Sequence, residues 1–236
     1  MSNLRYGSTA AAGVIDAGLQ AHMRSVYNTM GLGLVMTGLV AFAVAATPAL
    51  HQVLFGTPLA WVVMLAPLGF LFFGFTPGRM ARWPSSQIRT MFFVFSAVMG
   101  LSMASIFLVF TAESIARVFF ITAAAFGATS LYGYTTKRDL AAMGSFLFMG
   151  LIGIFIASIV NLFLGSSMVQ FIVSALGVII FTGLTAWETQ RIKETYAMVA
   201  AGDDSNAKMA VMGALSLYLN FINLFQSLLH LMGNRE

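Results

Sequence analysis

The chain has 236 residues, of which 59% are hydrophobic and 8% charged, with a formal net charge of +4. A soluble domain carries about 25% charged residues, so a water-facing surface of normal size is excluded and the chain reads as an integral membrane protein. The basic residues sit in short loops, which points to membrane orientation and not to nucleic-acid binding, and the absence of cysteine excludes disulfides, thiolate metal sites and a Cys nucleophile.

Residues 1–27 lack the apolar core of a signal peptide and read as a cytoplasmic or interfacial segment, mobile or lying on the membrane surface over Ser2 to Gln20. Residues 28–236 then form one membrane domain. A helix needs about 20 apolar residues to cross roughly 30 Å of hydrocarbon. Seven runs meet that need, over 28–46, 58–76, 91–110, 118–134, 143–164, 168–187 and 209–232, the fourth being the shortest. Ala43-Val44-Ala45 imitates a cleavage site, but the stretch before it is too long and too far into the chain, so the first run is a retained anchor. Thr47-Pro48 and Thr57-Pro58 punctuate the first connection, Thr76-Pro77-Gly78 and Trp83-Pro84 the second, and Gly165-Ser166-Ser167 makes the fifth a tight hairpin. Backbone groups cannot stay unpaired in lipid, so the expected fold is an all-α bundle of seven transmembrane helices.

Arg5, Arg24, Arg79, Arg82, Arg89, Lys137, Arg138, Arg191, Lys193 and Lys208 fall on one side of these runs, and only Arg117 and Arg235 on the other. The positive-inside rule then places the N-terminus in the cytoplasm and, after seven crossings, the C-terminus outside. Small residues at close spacing predict helix contacts at Ser96, Gly100 and Ala104, at Ala123 and Gly127, and at Gly150 and Gly153.

The seventh run places Gly213, Ser216, Asn220, Asn223, Ser227 and His230 on one helical stripe. Lipid solvates no amide, so this stripe is expected to face the bundle interior and make the seventh helix central. For Asn223 and Ser227, plain hydrogen bonding between helices competes with a pore-lining role. Glu188 closes the sixth run. A carboxylate at mid-bilayer costs roughly 2.5 to 3.5 kcal/mol, which marks it as a functional candidate. Two placements are open for it. If the helix runs one more turn, Arg191 shares its face and pairs with it at the interface, beside Trp187; alternatively Glu188 points inward at Asn220. No serine and histidine at matched depth, no Schiff-base lysine deep in a span and no ligand cluster among His22, His51 and His230 support an enzyme, and the histidines are expected at the interface.

Three motifs in order carry a resemblance: Tyr132-Gly133-Tyr134-Thr135-Thr136-Lys137-Arg138-Asp139-Leu140 with Gly144, then Glu188-Thr189-Gln190-Arg191-Ile192, then Leu217-Tyr218-Leu219-Asn220-Phe221-Ile222-Asn223-Leu224-Phe225. Over nearly all of its length after the N-terminal tail, the chain resembles the transmembrane Bax-inhibitor-motif, or Bax inhibitor-1-like, family. The resemblance implies six helices around a central seventh and a calcium leak that responds to pH through two aspartates sharing protons. Here Glu188 stands at the first aspartate position and Asn220 at the second. Only one partner titrates, so the coupling that makes such a pair a sensor is altered. Burial and the basic neighbours Arg79, Arg82 and Arg191 act on Glu188 in opposite senses, and the sequence does not fix which wins.

The expected activity is therefore a pH-influenced leak of calcium or other cations across a bacterial-type inner membrane. Glu188 and Asn220 form its gate, and Ser216, Asn223 and Ser227 line or support it. One carboxylate and one amide fall short of the six to eight oxygens calcium prefers, so weak binding at most is expected, and no other cofactor. The rival reading is a non-conducting interaction protein that acts on a membrane-bound protease or another partner.

Overall fold

The computed structural model describes the backbone of residues 3–198 and 202–234, with side chains from residue 17 onward in those ranges except at 203; the Arg5 side chain and Arg235 lie outside the described residues. The helices are α1 (Asn3–Ala45), α2 (Pro48–Phe55), α3 (Leu59–Gly74), α4 (Pro77–Arg82), α5 (Ser85–Met103), α6 (Ile106–Val109), α7 (Ala112–Thr135), α8 (Ala141–Leu164), α9 (Ser167–Met198) and α10 (Asp203–Met232). No strand occurs among the described residues.

Six helices are long and apolar enough to cross a membrane, and a seventh crossing exists only if α2 and α3, bent by 84°, are taken as one span. The reason lies in the prolines. Pro48 starts α2, Pro58 caps α3 and Pro67 sits inside it, leaving α3 with 16 residues. At 1.5 Å per residue that is about 24 Å, short of the hydrocarbon thickness.

Several boundaries differ from expectation because a charged residue ends an apolar run without ending a helix. α1 continues unbroken through residue 27, so the N-terminal segment is helical from Asn3. α7 begins at Ala112, its N-cap Thr111 accepting a hydrogen bond from the Ser114 N–H, and is longer than the run 118–134 suggested. α9 extends from residue 187 to Met198, so Glu188 lies within a helix and not at its end. The hairpin before α9 is present: Gly165 ends α8 with φ +60°, a conformation that glycine adopts without steric cost.

α10 is the most enclosed span, 67% buried against 11–33% for the other five. It packs on α9, α1, α7 and α5, while α8 lies outside against α9. Enclosure on several sides corrects the single-stripe picture, since Leu215, Leu217, Phe221, Leu224 and Leu229 are buried together with Asn220. At its centre the Tyr218 hydroxyl meets Thr37 Oγ1 at 2.6 Å, and Phe92 and Phe95 set their edges against the Tyr218 ring.

The small-residue contacts are realised in part. Ser96 and Ala104 are fully buried, and Gly100 lies against the Thr37 carbonyl and Val40 of α1. Gly150 meets Ile180, but Gly127 and Gly153 have open space where a side chain would stand. The close approach on α7 occurs instead at Gly133, directly against the Ala186 carbonyl of α9. Spacing shows that a helix face is smooth; it does not show that a neighbour occupies it.

Candidate functional site

The α9 and α10 helices run antiparallel, with Gly213 against Ile192 and Gly177 against Ser227 Oγ. This register sets Glu188 level with Leu217, and Asn220 level with residues 184–185, about 5 Å deeper along the bundle. Glu188 faces a cavity of about 160 Å³ shared with His22 of α1, Arg191 and Tyr196 of α9, and Gly213 and Ser216 of α10.

The Glu188 side chain is 14% exposed and its Oε1 accepts from Arg191 Nη1 at 3.2 Å, whereas Arg191 is 59% exposed. The Arg191 guanidinium also covers the Trp187 ring at 5.4 Å. The ion pair with Arg191 is thus the placement adopted. Among the described residues no hydrogen bond joins Glu188 to Asn220, and Asn220 Nδ2 is buried without any partner. A buried amide proton left unpaired costs about 1–3 kcal/mol, which folding alone gives no reason to retain.

The remaining predicted residues divide between site and scaffold. Ser216 lines the cavity. Asn223 Nδ2 donates to the Leu219 carbonyl of its own helix, and Ser227 packs on Gly177, so neither reaches Glu188. Arg79 and Arg82 correct the expectation of basic neighbours: both are exposed on α4, neither lines the cavity, and Arg79 donates to the Phe73 carbonyl and lies over Trp83. The short connection keeps them beside α3, which packs on α5. No group of three His, Cys, Asp or Glu able to hold a metal occurs among the described residues.

His22 is the residue that sequence reasoning missed. It is 7% exposed, stacks on Tyr196 with ring centroids 4.7 Å apart, and brings a second titratable group to the Glu188 cavity. Nothing local marks it, because its partner lies on the other side of the chain in sequence. His51, within α2, lies near the Ala45 carbonyl, and His230, in the last turn of α10, lies against Phe110.

The first two motifs assemble into one structural joint between α7, α8 and α9. Gln190 Oε1 accepts from the Leu140 N–H at 2.8 Å and its Nε2 donates to the Arg138 carbonyl at 2.7 Å, clamping the α7–α8 connection. Lys193 Nζ donates to the Tyr134 carbonyl at 2.8 Å, and Gly144 makes room for the Trp187 ring. Deeper in, hydroxyls link three helices: Tyr27 meets Ser130, and Ser130 meets Thr189 at 2.9 Å. Thr185, Thr189 and Ile192 continue a buried face past residue 187, a spacing signal that could have shown α9 extending.

Comparison with known proteins adds to this geometry. Residues 19–236 match the family model described as "Inhibitor of apoptosis-promoting Bax1". An uncharacterised protein of Rickettsia prowazekii is 45% identical over 232 residues, covering 97% of this chain and 96% of its own. The inner membrane protein YbhL of Escherichia coli K12 is 45% identical over 223 residues, covering 93% and 94%. A membrane protein of Streptococcus pyogenes is 32% identical over 223 residues, covering 94% and 96%.

Proposed function

The chain belongs to the Bax inhibitor-like family, and from that premise we propose that it is a pH-influenced leak for calcium or other cations, with Glu188 as its titrating gate. The membrane is a bacterial inner membrane, as for YbhL, with the N-terminus in the cytoplasm and the C-terminus outside. The observation that carries the reading is the half-buried Glu188 carboxylate on a cavity between α1, α9 and α10, one turn short of the unpartnered Asn220 amide.

Ionised, Glu188 holds Arg191 at the cavity wall; protonated, it releases the exposed Arg191 side chain. A permeating cation then meets the Ser216 hydroxyl and, a turn deeper, the Asn220 carbonyl oxygen. Few oxygens bind calcium weakly, which suits an ion that must also leave. The role has no enzymatic step and needs no cofactor.

Calcium-dye flux into proteoliposomes between about pH 5 and about pH 8, the window around neutral pH, tests this. Wild type is expected to exceed empty vesicles in a pH-dependent manner and Glu188→Gln to lose that dependence. Asn220→Asp is expected to steepen or shift the response by restoring two coupled carboxylates. Wild-type flux equal to that of empty vesicles at every pH would sink the leak. If Asn220→Asp alone then conducted, the scaffold would be a pore that has given up conduction, and a stoichiometric partner such as a membrane protease becomes the search.

A further inference from the structure

A second groove, separate from the Glu188 cavity, opens between α1 and α5 and measures about 520 Å³. Arg24, Asn28 and Leu32 of α1 line it, facing Arg89 and Phe93 of α5. The two helices run parallel, with Gly33 against Phe92 and Ser96, and Gly100 against Thr37 and Val40. That register stacks the groove in layers about one helical turn apart: Arg24 outermost, then Asn28 level with Arg89, then Leu32 level with Phe93.

Both arginines are exposed, and among the described residues neither has an acidic or hydrogen-bonding partner; the ion pairs are Glu188–Arg191 and Asp204–Lys208. Arg89 lies one turn inside a helix that begins at Ser85 and crosses the membrane. An arginine there is costly unless its head reaches the interface or meets an anion, and the groove lets it do both. Leu32, 59% exposed, and the half-buried Phe93 continue the same groove toward the hydrocarbon. One cation outermost, a second cation level with an amide, and two apolar side chains below them follow the polarity of a phospholipid from phosphate through glycerol ester to acyl chain.

We propose that this groove is a binding site for an anionic phospholipid, with Arg24 and the outward-reaching head of Arg89 on the headgroup phosphate, Asn28 beside the Arg89 stem at the ester level and one acyl chain over Leu32 and Phe93. Guanidinium forks match phosphate oxygens two at a time, and basic pockets between transmembrane helices are suited to anionic headgroups. A soluble phosphate compound leaves the apolar layer unexplained, and an apolar protein helix leaves two cations unmatched. The site does not depend on ion conduction; the proposed orientation only assigns it to the cytoplasmic leaflet.

Native mass spectrometry of the full-length protein in mild detergent, with phosphatidylglycerol or phosphatidylcholine of matched chains, tests the site. Wild type is expected to retain phosphatidylglycerol about tenfold better, in keeping with two basic contacts. The Arg24→Gln/Arg89→Gln variant is expected to lose that preference, while Arg24→Lys/Arg89→Lys keeps most of it and guards against a misfolded double variant. Phe93→Ala should weaken retention of both lipids, and the pair Arg79→Gln/Arg82→Gln, which does not line the groove, should behave as wild type. The site is overturned by an absence of preference in wild type or by equal loss in the Arg79/Arg82 variant. Competition by soluble glycerol phosphate as effective as that by lipid overturns it as well.

Discussion

Replacing Gly133 by alanine is expected to lower the thermal midpoint of the solubilised protein by several degrees. The new methyl group would collide with the Ala186 carbonyl, and this obstacle is backbone, unable to rotate aside. Relief requires α7 and α9 to separate where Thr185, Ala186 and Thr189 are all buried, which would also stretch the hydroxyl link from Ser130 to Thr189. Overpacking of this kind costs about 1–3 kcal/mol, and in a domain of this size each kcal/mol moves the midpoint by about 2–4 °C. Gly127→Ala on the same helix is the control. Open space surrounds that position, and alanine is favoured over glycine in a helix by roughly 1 kcal/mol, so its midpoint should equal or exceed wild type. A Gly133→Ala midpoint at or above wild type would show that the α7–α9 approach is not tight in solution.

Two buried amides on neighbouring helices should respond in opposite directions to the same substitution. Gln190→Leu removes both hydrogen bonds to the α7–α8 connection and strands the Leu140 N–H and the Arg138 carbonyl. Leu140 is 6% exposed, so water has poor access to its N–H, and a loss of about 2–4 kcal/mol is expected from two unmade bonds. Asn220→Leu removes an amide whose Nδ2 has no partner. Apolar replacement of an unsatisfied group is neutral or stabilising, by up to about 2 kcal/mol. Denaturant or thermal unfolding of the two variants beside wild type measures both. If Asn220→Leu destabilised as much as Gln190→Leu, Asn220 would be a structural amide and its case as a pore residue would weaken. An Asn220→Leu variant that is more stable yet loses cation flux would identify the amide as kept for activity at a cost in stability.

These contrasts also locate what could be read from sequence. Asn220 and Glu188 stand out in one dimension because a polar group in an apolar run is conspicuous wherever the chain goes. Gln190 does not, since it sits between Glu188 and Arg191 and looks like the beginning of a loop; its burial depends on α9 continuing and on the α7–α8 connection arriving above it. His22 is a similar case, ordinary in its own segment and notable only because α1 carries it to Tyr196 and Glu188.

The apolar runs, the all-helical class, the tight turn at Gly165 and the unusual chemistry of Glu188 and Asn220 follow from the order of residues, because lipid solubility and backbone hydrogen bonding are local demands. Whether Glu188 meets Arg191 or Asn220, whether Arg79 and Arg82 reach it, which glycines touch a neighbour and how the second crossing bends were set by packing. Those outcomes depend on register between helices far apart in the chain, where a shift of one turn, about 5 Å, exchanges one neighbour for another without changing any helix's own periodicity.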